Sequence, residues 1–141
     1  MLRLATGDEP YFKTLREVFG STGPDSISTE EFRRRLEESS HQDLGWFFED
    51  WVQRDGLPTI EVKTRVVPSK GGFTVEGQIL QAPGDGFRRI VVPLVLEYAD
   101  GGREIRLVFQ ERATTEFQLP ILSPPARISV DPIHSTLARY R

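Results

Sequence analysis

The sequence predicts an α+β chain: a short three-helix segment followed by an antiparallel, Ig-like β-sandwich of about six to eight strands. Three observations predict it. Apolar residues recur at helical spacing from residue 8 to residue 52, they alternate from residue 59 onward, and Gly56-Leu57-Pro58 stands between the two patterns. The expected domains are therefore a helical segment, 1–56, and a sandwich, 57–141.

In the first helix Phe12, Leu15 and Phe19 share a face, with Tyr11 and Val18 beside it. Asp8 is its expected N-cap and Gly20 its end. The second helix has the clearest start: Ser28-Thr29-Glu30-Glu31 fits a capping box, and Ile27 with Phe32 takes the two positions of a hydrophobic staple. Phe32, Leu36 and Ser39 fall on one side. Arg33, Arg34 and Arg35 spread over roughly 200° at about 100° per residue, which makes a solvated face rather than one basic patch. The third helix, 42–52, places Leu44, Phe47, Phe48 and Trp51 at i, i+3, i+4 and i+7, with Trp46 off the stripe and Glu49, Asp50 and Gln53 pointing away. Burying such side chains is worth about 1.5–3 kcal/mol each, so the stripe is read as core, together with Phe32 and Leu36.

After Pro58, the residues Ile60, Val62, Thr64 and Val66 alternate with Glu61, Lys63 and Arg65, which predicts a strand with one wet and one buried face. Further strands are expected at 73–80, 89–98, 104–110, 116–119 and 127–130, separated by clusters of Gly, Pro and Asp. Asp100-Gly101 is the strongest hairpin signal, because both residue types accept the positive φ that tight hairpins require. Pro93 points to an edge or a bulge for its strand.

The composition narrows the function. Among 141 residues there is no cysteine, which excludes disulfides and thiolate chemistry, and the net charge of −3 offers no basic excess for a phosphate backbone. Nucleic acid is thus not an expected partner. No apolar run approaches the roughly 20 residues that span a bilayer, and Met1-Leu2-Arg3-Leu4-Ala5 lacks the long apolar core of a signal peptide. A soluble chain is expected, cytoplasmic or exported according to what precedes it.

A zinc site would need three protein donors, yet the two histidines, His41 and His134, lie in different halves. No Gly-x-Ser-x-Gly elbow is present, and Gly84-Asp85-Gly86 leads into a strand rather than a phosphate-binding helix. Glu30/Glu31, Glu37/Glu38 and Glu49/Asp50 are helix neighbours about 100° apart, suited to solvation. Neither catalytic nor metal-ligating residues are expected, and the chain reads as a non-catalytic module.

One stretch carries a resemblance. Ser28-Thr29-Glu30-Glu31-Phe32, Leu36-Glu37-Glu38-Ser39-Ser40, the run from Asp43-Leu44-Gly45-Trp46-Phe47-Phe48 through Glu49-Asp50-Trp51-Val52, and Gly56-Leu57-Pro58-Thr59-Ile60-Glu61-Val62 together resemble the M1 family of zinc aminopeptidases. The flanks, Met1-Leu2-Arg3 with Gly7-Asp8-Glu9 and Phe12, and Val130-Asp131-Pro132 with Leu137, are similar too. In that family the string closes the thermolysin-like catalytic domain, and its Gly-x-Pro turn opens the β-sandwich third domain. The family's zinc helix, substrate motif and catalytic tyrosine normally lie upstream of it, so no active-site residue carries over.

The resemblance implies a C-terminal piece of a larger metallopeptidase. The parent would hold the zinc, and its upstream catalytic domain would be this chain's partner. An exposed apolar helical surface, self-association through it, or disorder over 1–23 is then expected. Two other readings compete: an interaction domain of an M1-like scaffold that has lost its zinc ligands, and a stand-alone sandwich that takes up peptide along an open strand edge.

Overall fold

The computed structural model describes the whole chain except residues 22–25. Contacts divide it into two compact units, Met1–Asp55 and Gly56–Arg141.

The first unit holds four helices among the described residues: α1 Leu2–Thr6, α2 Asp8–Ser21, α3 Thr29–Ser40 and α4 Gly45–Trp51. The short α1 is one helix more than predicted. Its end and the start of α2 explain why Asp8 is not an N-cap: Asp8 is the first helical residue, and its carboxylate accepts two bonds from the Arg3 guanidinium, at 2.7 and 2.9 Å. A bidentate arginine outcompetes a backbone N–H for that carboxylate. Leu2–Thr6 and Asp8–Ser21 are thus helical where disorder was one expectation for 1–23; the last two positions of that span, Thr22 and Gly23, lie outside the described residues.

The predicted inner face of α2 is rotated. Thr14 and Val18 are buried, with Tyr11 and Leu15 half-buried beside them, whereas Phe12 is 40% and Phe19 78% exposed. The sequence offers two overlapping stripes one residue apart, and only packing chooses between them.

Three local devices shape α3 and α4. Ser28 Oγ accepts the Glu31 N–H at 3.1 Å, but the other arm of the capping box is missing: the Glu31 carboxylate is taken by Arg34 and Arg35, which hold it down at about 2. Arg34 also pairs with Glu38, and Arg33 with Glu37, so the arginine face is laced by carboxylates of its own helix. His41, at φ 54°, then ends α3 in the left-handed region. Because Glu37 Oε1 accepts the Leu44 N–H and Asp43 Oδ1 the Gly45 N–H, each at 2.8 Å, α4 starts at Gly45 rather than at 42. Removal of the one cap hydroxyl, Ser28→Ala, is expected to cost about 1 kcal/mol. Urea unfolding followed by helical circular dichroism would show it as a lowered midpoint with an unchanged slope.

The second unit contains β1 Thr59–Ser69, β2 Gly72–Gln81, a 3-10 turn Pro83–Asp85, β3 Ile90–Glu97, β4 Arg103–Gln110, β5 Thr114–Ile121, β6 Arg127–Val130 and β7 Arg139–Tyr140. They form two sheets, β5-β2-β1-β7 and β4-β3-β6. The α+β sandwich class is as predicted, with two differences. The seventh strand, β7, pairs parallel to β1 at Thr59 and Ile60. At two residues it is too short to leave an alternation signal. The second difference is Pro93, which sits in the central strand of its sheet. Its carbonyl accepts the Asp131 N–H at 2.9 Å, so its donorless nitrogen faces the point where β6 has already ended at Val130. The sheet therefore loses no ladder bond there.

Ile60, Val75, Ile79 and Ile121 of one sheet, and Ile90, Val92, Leu94, Leu96 and Val108 of the other, form the buried apolar faces. The β1 alternation fades, however: from Lys63 to Val66 every residue is exposed. Two buried glutamines tie strands β2 and β4. Gln81 Nε2 donates to the Arg88 carbonyl at 2.6 Å and to Gln110 Oε1 at 2.9 Å, and Gln81 Oε1 accepts the Arg88 N–H at 3.0 Å. Gln110 Nε2 donates in turn to the Ile79 and Ala113 carbonyls. With its members satisfied, such a network fixes one alignment of strands where apolar contacts alone would tolerate sliding. The Asp100-Gly101 turn closes as a hairpin, with Gly101 at φ 86° donating to the Tyr98 carbonyl and Tyr98 to that of Gly102.

Candidate functional site

The side chains singled out in the sequence fall into two places. In the first unit Leu36, Leu44, Phe47 and Phe48 form one buried cluster, with Phe32, Trp51, Trp46, Met1 and Leu2 packed against it. Phe47 meets Trp46 edge-on at 5.5 Å and Phe48 at 6.0 Å. Trp46, off the predicted stripe, thus joins the core as well. Asp50, predicted to point away, is 4% exposed, with Arg54 Nη1 at 3.5 Å from its carboxylate. At the start of the second unit Gly56 takes φ 90°, a conformation that side chains disfavour, and Pro58 is buried with its carbonyl accepting the Arg139 N–H.

No group of three or more His, Cys, Asp and Glu side chains converges among the described residues. His41 and His134 are exposed turn residues with positive φ, one in each unit.

The most elaborate polar constellation is one the alternation pattern missed. Asp131, 2% exposed at φ 39°, accepts four bonds: from the Ser135 N–H at 2.8 Å and hydroxyl at 2.6 Å on Oδ1, and from the Thr136 N–H at 2.9 Å and hydroxyl at 2.6 Å on Oδ2. Burial pushes this carboxyl up, but the four donors outweigh it and hold it below its ordinary range. Thr136 Oγ1 also lies 2.7 Å from the Tyr140 hydroxyl, which couples the turn to β7. An Asp followed at +4 and +5 by Ser and Thr is the one sequence signal that could have found it.

Burial, and after it the nearby Asp131 charge, pushes the Tyr140 phenol up to about 12 against the pull of its Thr136 bond. A phenol raised in the fold contributes stability that is complete below its unfolded value, about 10, and is lost as the pH rises through the folded one. Ultraviolet titration should therefore show a tyrosine step near 12, and Tyr140→Phe should remove that step.

Each unit also leaves apolar surface in water. In the first it includes Phe12 and Phe19 of α2 and Val52; in the second it includes Leu122, Ile133 and Leu137, and also Ile105, Leu107 and Phe109, which alternate along the outer face of β4 and are 61%, 47% and 38% exposed. Rows of this kind are uncommon on surfaces that face only solvent.

No protein-family model matches the chain, and no curated protein matches it. Solved structures do. The chain is similar to aminopeptidase A of Legionella pneumophila, solved in complex with aspartic acid, with a TM-score of 0.74 and 21% identity over 99% of this chain. At that identity the likeness shows the fold alone. The chain spans 16% of the length of that protein, so the two have one region of fold in common.

Proposed function

We propose that the chain is the non-catalytic C-terminal portion of an M1-like zinc aminopeptidase, in which the helices close the catalytic domain and the sandwich braces it. The observation that carries the reading is the extent of the fold likeness: both units lie within the 99% of the chain that the likeness to an aminopeptidase covers. The string from Ser28 to Val62 supports it independently.

In this reading the parent removes N-terminal residues from peptides, and its zinc supplies an activated water from residues outside this chain. The residues present here do other work. Phe12 and Phe19 offer α2 an apolar seat on the upstream catalytic domain, and the charged lacing of α3 keeps its far face in water. The Gln81–Gln110 pair and the Asp131 turn make the sandwich a stiff support. Without its partner, the chain associates through the α2 surface.

The test is an assay of the isolated chain and of the full-length parent on aminoacyl anilides, with and without zinc. The expected result is an inert chain and a zinc-dependent parent. Activity in the isolated chain would overturn the assignment of a non-catalytic portion. An inert parent would instead favour a scaffold that has lost its zinc ligands.

One observation favours a second reading, peptide uptake by strand addition. β7 covers β1 only at Thr59 and Ile60, so among the described residues the edge of β1 away from β2 carries no strand over 61–69. Backbone amide shifts confined to that edge on titration with extended peptides would support it, and their absence would remove it.

A further inference from the structure

Side chains alternate along β4. Val108 and Gln110 are buried toward the sandwich core, whereas Arg103, Ile105, Leu107 and Phe109 face outward and are exposed. Glu111, exposed and next after the last residue of β4, continues the outward alternation. The outward row therefore reads positive, apolar, apolar, apolar, negative. Val95, Pro93 and Val91 of β3 pair with Ile105, Leu107 and Phe109, so the apolar strip is two strands wide.

β4 is also an edge. In the order β4-β3-β6 no strand is laddered on its far side among the described residues. Edges of this length are commonly guarded by a bulge, a proline or an inward charge. Here the ladder with β3 runs unbroken from Gln110 to Arg103. The inward charges are held within the unit: Glu104 accepts the Tyr98 hydroxyl at 3.0 Å and pairs with Arg106 at 2.9 Å, and Arg106 Nη2 donates to the Pro120 carbonyl at 3.2 Å.

We propose that a second copy of this chain docks on this edge, the two β4 strands running antiparallel about a two-fold axis at Leu107. Ile105 of each copy then faces Phe109 of the other, Leu107 faces Leu107, and Arg103 faces Glu111 at both ends. On the inner side Glu104 meets Gln110 and Arg106 meets Val108, and past the strand Arg112 meets Gly102, so no like charges are opposed. Moving the axis one residue either way sets Arg106 against itself and Arg103 against Phe109, or Ile105 against Glu111; the face-sharing rule of paired strands removes the registers between. Arg103 already has a carboxylate on its own sheet, Glu97 at 3.9 Å, and Glu97 is paired in turn with Arg127 of β6. Glu111 of the second copy extends that row as Arg127, Glu97, Arg103, Glu111, alternating in sign across four strands, and a guanidinium with five donors can serve both neighbours. Each copy spends its single β4 edge, so the assembly closes as a dimer. This surface is distinct from that of α2, and the proposal is independent of the reading of the chain as part of a peptidase.

The test is sedimentation of the whole chain carrying F12S/F19S, which removes the α2 surface from the comparison. An edge of this length lies at the low end of stable interfaces, below about 1,200 Å², so half-dimerisation is expected on the order of 100 μM. L107R sets two cations against each other on the axis and should leave a monomer. R103E and E111R each oppose like charges at both ends and should weaken dimerisation at least about fivefold. Mixed in equal amounts, these two variants present opposite charges at both ends, and dimerisation should return to within about twofold of the unmixed parent. Amide dispersion reports that each variant folds, and nuclear Overhauser contacts from Ile105 methyls of labelled copies to the Phe109 ring of unlabelled ones should accompany the dimer. A monomer up to about 1 mM, oligomers beyond the dimer, association that survives L107R, or failure of R103E and E111R to recover on mixing would each overturn the proposal.

Discussion

Phe48→Ala is expected to cost about 4 kcal/mol and to unfold the first unit in the region of α3 and α4. Phe48 is 5% exposed inside the cluster of Leu36, Leu44 and Phe47, and its ring meets Phe47 at 6.0 Å. Truncation removes the transfer energy of the ring and leaves a cavity that helices tied by the Glu37–Leu44 bond cannot fully close. A unit of 55 residues has a stability of roughly 3–8 kcal/mol, so this single change consumes most or all of it. Hydrogen exchange would show the loss at amides of α3 and α4. Phe48→Leu, which keeps most of the volume, should cost no more than about 1.5 kcal/mol, and equal effects of the two substitutions would contradict the packing account.

Asp131→Ala should cost the sandwich about 3 kcal/mol and release β7 from β1. Four donors lose their acceptor at once, two of them on Thr136, which is 7% exposed. Leaving buried donors unsatisfied costs about 1–3 kcal/mol each, and neighbouring losses of this kind do not add fully. Asp131→Asn is the sharper experiment. Its shape is retained, but one amide NH₂ must face donors from Ser135 or Thr136, so the isostere is expected to lose nearly as much as alanine. Acid titration gives the same turn a pH signature. A carboxyl held low in the fold contributes stability above its ordinary range and loses it as the pH falls through the folded value. The wild-type chain should therefore weaken in acid by more than Asp131→Asn does, and parallel curves would exclude the role.

Period and punctuation carried most of the architecture. The switch from helical to alternating spacing across Gly56-Leu57-Pro58 gave the α+β class, helices first and strands after. Ser28 could be read as a cap because capping is local, decided within three residues. Asp100-Gly101 could be read as a hairpin because positive φ is a property of single residues.

The expectations that failed were those in which several groups compete for one partner or one face. Glu31 could complete a capping box or pair with Arg34 and Arg35, and two arginines prevailed over one N–H. Phe12 and Phe19 lost the inner face of α2 to Thr14 and Val18, a rotation of about one residue that no periodicity resolves. Pro93 was placed at an edge on the strength of its missing donor, yet what matters is where that nitrogen faces, and β6 ends beside it.

The sequence by itself determined the α+β class, helices first and strands after, because this follows from spacing and from the conformational limits of Gly and Pro. Only the tertiary structure decided which apolar residues remain in water, that Asp131 gathers four donors, and that Gln81 and Gln110 meet between two strands. Those features join residues up to tens of positions apart, and the free energy of each depends on what else has already packed beside it.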